Sequence, residues 1–110
     1  MQPVMKQPDA IHLLMYDITN ERVLQKTARL LQQNGYERIN YSVWIGWGKF
    51  GDNTSLAEAL KTLLKKPEVK GSRVYYLPLT PAGFKKLRSI SGRKPHNLNY
   101  WAGEQHLRFF

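Results

Sequence analysis

The stretch AIHLLMYDI, residues 10 to 18, limits the folds open to this chain more than any other. It is a short, almost unbroken apolar run that closes on Asp17 and a polar turn. That pattern marks a strand buried on both faces, and therefore central in a sheet. A central strand needs a neighbour on each edge and cover on each face, which the remaining residues must supply.

The following segment, TNERVLQKTARLLQQNG, changes to a helical period. Val23, Thr27, Leu30 and Leu31 fall on one stripe, Thr19 or Asn20 is placed to cap it and Gly35 to end it, which predicts a helix over about 21–34. YERINYSVWIGW alternates Ile39, Tyr41, Val43 and Ile45 with Asn40, Ser42 and Trp44, and predicts one strand. WGKFGDN then predicts a turn and a short third strand. Ser55 and Glu58 fit a capping box ahead of Leu56, Leu60, Leu63 and Leu64, and Pro67 stops that helix. SRVYYLPL predicts a further strand, and TPAGFKKLRS a short helix with a Thr cap and a proline at its first position.

The resulting order, βαββαβ, is that of a ferredoxin-like α+β sandwich over residues 11–91, preceded by a flexible extension over 1–10. Two helices cover one face of such a sheet and leave the other bare, so a homodimer is expected. The tail, residues 92–110, is too aromatic to be left in solvent, and is expected to dock as an added strand at the dimer interface.

Composition narrows the chemistry. A length of 110 residues suits one domain, and without a membrane-length apolar window or a secretory signal the expectation is a soluble, cytoplasmic protein with no membrane partner. The absence of cysteine excludes disulfides and thiolate metal sites, so any metal must sit on oxygen or imidazole. His12, His96 and His106 have no ligand spacing. Charge is one-sided: residues 1–60 hold six basic and six acidic side chains, while residues 61–110 hold 11 basic against Glu68 and Glu104 and carry the whole net +9. A polyanion is the natural partner of that half, and three tryptophans and six tyrosines are available to stack on bases.

Within that setting the candidate phosphate contacts are Arg22, Lys26 and Arg29, at spacings of four and three on the first helix, with Arg38 on the following strand and Lys85, Lys86 and Arg88 around the short helix. Asp17 has two possible roles. An aspartate that ends a strand caps the turn beyond it, and it is also the oxygen ligand that Mg²⁺ prefers. Ser42 shares the polar side of the second strand, without a base at the fixed spacing a nucleophile requires.

MYDITNER, GYERINYSVWIG and SRVYYLPLT together resemble the Cas-two family, the second CRISPR-associated protein of the adaptation module. The match covers roughly residues 11–91, and its sharp parts are Tyr16-Asp17-Ile18 and the run from Arg38 to Trp44. Asn40, Trp44 and Ile45 stand where the family more often has Gln, Phe and an acidic residue. The resemblance implies a ferredoxin-like homodimer seated between dimers of the Cas-one integrase, holding double-stranded DNA for insertion into a CRISPR array. It also implies, for some members, a metal-dependent endonuclease acting on RNA or DNA, in which Asp17 of two protomers would share a Mg²⁺ ion with Ser42 nearby. A toxin-like ribonuclease is a third possibility, since small ferredoxin-like RNases share this plan.

Overall fold

The computed structural model describes residues 10–48, 50, 53–65 and 67–103. The apolar run forms β1 (Ile11–Asp17), and α1 (Glu21–Gln33) follows it. The sequence then folds into β2 (Glu37–Asn40), β3 (Val43–Trp47), α2 (Thr54–Leu64), a 3-10 turn (Pro67–Val69), β4 (Arg73–Leu79) and the short helices α3 (Pro81–Lys85) and α4 (Leu98–Trp101). The four strands make one antiparallel sheet in the order β2-β3-β1-β4, so β1 is interior, as its apolar composition requires.

Three local expectations are corrected. The stretch read as one strand is a hairpin: β2 and β3 pair antiparallel, Asn40 opposite Val43, with Tyr41 and Ser42 as the turn. Asn40 Oδ1 accepts from the Tyr41 N–H at 2.7 Å, and the register shifts between Arg38 and Asn40. The alternation of apolar and polar residues runs on through the turn, so the bend is not visible as a break in period. The second helix starts earlier than the capping box suggests: Asn53 Oδ1 accepts from Leu56 N at 3.0 Å, and Glu58 pairs with Lys61 at 3.8 Å instead of reaching back. In the tail, Leu98–Trp101 is helical rather than extended; the strand expected for EQHLRFF, and the extension over 1–9, lie outside the described residues.

Elsewhere the signals correspond to contacts. Asn20 caps α1, its side chain accepting from Val23 N at 3.0 Å, and Gly35 at φ +82° takes the left-handed turn that ends it. Thr80 caps α3 by accepting from Gly83 N at 3.0 Å, with Pro81 in the first turn.

Because side chains alternate across a strand, the sheet has two distinct faces. Leu14, Tyr16 and Trp44 meet Val23, Leu24 and Leu31 of α1 and Leu56 and Leu60 of α2 in the larger core. On the opposite face Ile11 and Ile45 are covered by Phe84 of α3 and Trp101 of α4. The far end of that second face, where Tyr75 and Leu77 are 60% and 47% exposed, has no cover.

Candidate nucleic-acid interface

Asp17 is the last residue of β1, and the antiparallel ladder sets it directly opposite Arg73, the first residue of β4. Paired residues share a sheet face, so the two residues both belong to the bare end of the second face. Both are exposed. Arg73 is not legible as a neighbour of Asp17 from sequence, because the strand limits must first fix the register.

Ser42 lies in the β2–β3 turn, not on a strand face, and its carbonyl accepts from Tyr16 N at 3.1 Å. That bond brings the turn beside the end of β1, one residue from Asp17. Among the described residues no three His, Asp or Glu side chains gather where they could hold a metal. One protomer therefore offers Mg²⁺ a single exposed carboxylate, the lower end of the one or two that hold this ion beside water and phosphate. A second carboxylate would have to come from another copy of the chain.

Arg38 is held by aromatic groups. Its guanidinium lies 4.8 Å from the Trp44 ring centre and 5.3 Å from that of Tyr41, and it donates to Tyr16 Oη at 3.4 Å. The same phenol oxygen accepts from Trp44 Nε1 at 3.1 Å. The arginine is thereby oriented at the edge of the helix-covered face, where it shares a shallow hollow with Arg29. Lys26 and Arg29 in turn line a groove between α1 and α2, on whose far bank stands Glu58. Arg22, Lys26 and Arg29 are all exposed.

Lys85, Lys86 and Arg88 belong to the other face, since Phe84 of the same helix packs on Ile11 and Ile45. Sequence order gives no hint of this division: α1 and α3 approach the sheet from opposite sides. The cations named from the sequence thus form two groups, one along α1 and Arg38, the other around the end of α3. The second group sits in the longest acid-free part of the described chain, since no Asp or Glu occurs from Val69 to Gly103 while seven Lys or Arg do.

A buried polar contact supports the hairpin beside these groups. His12 and Tyr36 meet at 2.6 Å, Nε2 to Oη, and His12 Nδ1 lies 2.9 Å from the Gly48 carbonyl. A carbonyl only accepts, so Nδ1 carries the proton and the Tyr36 hydroxyl donates to Nε2. Burial pushes the Tyr36 phenol from its ordinary 10.0 up to about 12.

The order β2-β3-β1-β4 with two helices on one face defines a small ferredoxin-like α+β protein, here with one carboxylate closing its central strand and a one-sided excess of cations. The family model for CRISPR associated protein Cas2 matches residues 10–87, well over half of the chain, and the chain belongs to that family. Its setting is accordingly CRISPR adaptation, in which the family works with Cas-one. No curated protein matches the chain. Among the described residues no helix is long and apolar enough to cross a membrane.

Proposed function

We propose that the chain is a DNA-binding structural subunit of the spacer-integration complex, acting as a homodimer that bridges Cas-one integrase dimers. The observation that carries this reading is the charge distribution: the whole net +9 lies beyond residue 60, on a fold whose central strand ends in one carboxylate, Asp17. Holding a duplex needs shape and cations that meet phosphates, and both groups of cations face solvent.

Metal-dependent cleavage is the second reading, and its support is the exposure of Asp17 at a strand end. It requires that a second copy bring another Asp17 close enough to complete an oxygen site for Mg²⁺. The bare sheet face that bears Asp17 is where a second copy would dock, so the same dimer serves either reading. Arg73, across the ladder from Asp17, favours the scaffold, because positive charge on that face opposes metal binding.

The test is the salt dependence of duplex binding. Each neutralised phosphate contributes about 0.9 to the slope of log affinity against log salt. Replacing Lys85, Lys86 and Arg88 together by Gln is expected to flatten the slope by about 2 to 3 if each meets a phosphate. The same change at Arg22, Lys26 and Arg29 measures the α1 group. A slope unaltered by either triple change would show the charge to be solvated surface and remove the DNA-binding reading.

A further inference from the structure

Ile90 is the most exposed large apolar side chain among the described residues, at 103%. It stands at the tip of the segment Arg88-Ser89-Ile90-Ser91-Gly92-Arg93-Lys94, every residue of which is exposed. The tip has a defined turn: Ser89 Oγ donates to the Gly92 carbonyl at 2.6 Å, and Gly92 takes φ +84°, a conformation that suits glycine. Both ends of the loop are tied to the sheet, because Leu87 before it and Leu98 after it pack on the cluster of Ile11, Ile45, Phe84 and Trp101. The result is a protruding isoleucine on an anchored base, flanked by Lys86, Arg88, Arg93 and Lys94, with no acidic residue between Val69 and Gly103 to offset them.

We propose that this loop is a minor-groove wedge, Ile90 entering between two base steps of a duplex while the flanking cations hold the phosphates on either side. This rests on the DNA-binding reading and adds a mode of contact to it. A lone aliphatic tip between cations is the arrangement by which proteins unstack a base step and kink DNA by about 20 to 90°. The four cations select a polyanion, and the single apolar side chain selects a gap one residue wide. A protein partner would call for a cluster of apolar residues, and no other apolar side chain occurs from Arg88 to Lys94. A membrane surface would call for more apolar area or aromatic residues at the tip. For a subunit that holds DNA, a wedge would fix the bend of the fragment without reading its sequence.

The experiment uses the full chain, a duplex carrying 2-aminopurine at its centre and the variants Ile90→Ser and Ile90→Leu. Stacking quenches this base, so insertion raises its fluorescence. The parent and Ile90→Leu are expected to bind and give a several-fold rise, while Ile90→Ser binds with the same salt slope and loses most of the rise. A full rise with Ile90→Ser, or binding by the parent without any rise, overturns the wedge and leaves the DNA-binding reading intact. No duplex binding by the parent overturns both. Ile90-dependent binding to anionic vesicles without a rise on DNA assigns the loop to a membrane instead. Loss of dimer mass in Ile90→Ser assigns it to a second copy.

Discussion

Asp17 and Arg73 close the β1–β4 ladder from opposite strands, a carboxylate and a guanidinium on one face of the sheet. The pairing bears on whether this carboxylate serves a metal. The register sets an arginine across from it, and positive charge on that face opposes an approaching Mg²⁺. Asp17→Asn is expected to keep the fold, dimer formation and duplex affinity, the last within about 2-fold, since a single exposed charge contributes little. Cleavage that purified parent performs with Mg²⁺ or Mn²⁺, and that Asp17→Asn loses with binding intact, would overturn the scaffold reading.

Trp101 is 2% exposed, and its ring lies 4.7 Å from that of Trp47. Truncating such a side chain removes buried area and leaves a cavity, so Trp101→Ala is expected to cost about 3 to 5 kcal/mol by urea unfolding. The indole N–H of Trp101 is buried with no hydrogen-bond partner among the described residues. Trp101→Phe removes that unpaired donor along with part of the ring, and the two effects oppose. Its cost is expected to stay below about 1.5 kcal/mol. Equal costs for the two variants would mean that α4 does not hold the second face as described.

Tyr36 gives a pH dependence with a definite sign. Its phenol titrates near 10.0 when unfolded and is raised by burial to about 12 when folded. Stability is thus fully present below pH 10 and lost as pH rises toward 12, because the unfolded chain releases its proton first. The phenol is half-buried and partly screened by solvent, so the loss is about 1 kcal/mol, below the full value of the shift. Tyr36→Phe lacks the phenol and removes its hydrogen bond to His12 Nε2, a cost of about 0.5 to 1.5 kcal/mol near neutrality. The gap in unfolding free energy between parent and variant should shrink as pH rises from 10 to 12, with lysine titration common to both. A gap independent of pH would place Tyr36 in water.

What could be read from the residues was what they impose locally. β1 was legible because an apolar run of that length admits few alternatives, and α1 because Val23, Thr27 and Leu31 share a stripe between Asn20 and Gly35. The β2–β3 hairpin is not legible because Tyr41 and Ser42 carry neither Gly nor Pro and keep the period of two; Asn40 is the single cue. Asn53 and Ser55 are both good caps two residues apart, and only tertiary packing chooses between them. Arg73 beside Asp17, Trp101 on Trp47 and the division of the cations between two faces depend on register and on which side each helix packs. Those are properties of the assembled sheet, and no short window of sequence contains them.

The bare end of the second face gives the remaining prediction. Leu13, Met15 and Asp17 of β1 share that face with Arg73, Tyr75 and Leu77 of β4, since paired residues of antiparallel strands point the same way. Tyr75 and Leu77 are 60% and 47% exposed, beside half-buried Leu13 and Met15. A contiguous apolar patch with a tyrosine at its centre suits a self-complementary contact, the same patch on both copies. Light scattering at micromolar concentration is expected to give a mass near twice the 12.8 kDa of the chain. Tyr75→Asp or Leu77→Asp costs the monomer little, because neither side chain is buried in it. In a dimer each would place charge in an apolar contact and raise the dissociation constant by about 100-fold, or about 2.7 kcal/mol. A parent mass near 13 kDa at micromolar concentration would sink the dimer, and with it the shared Mg²⁺ site that needs Asp17 from two copies.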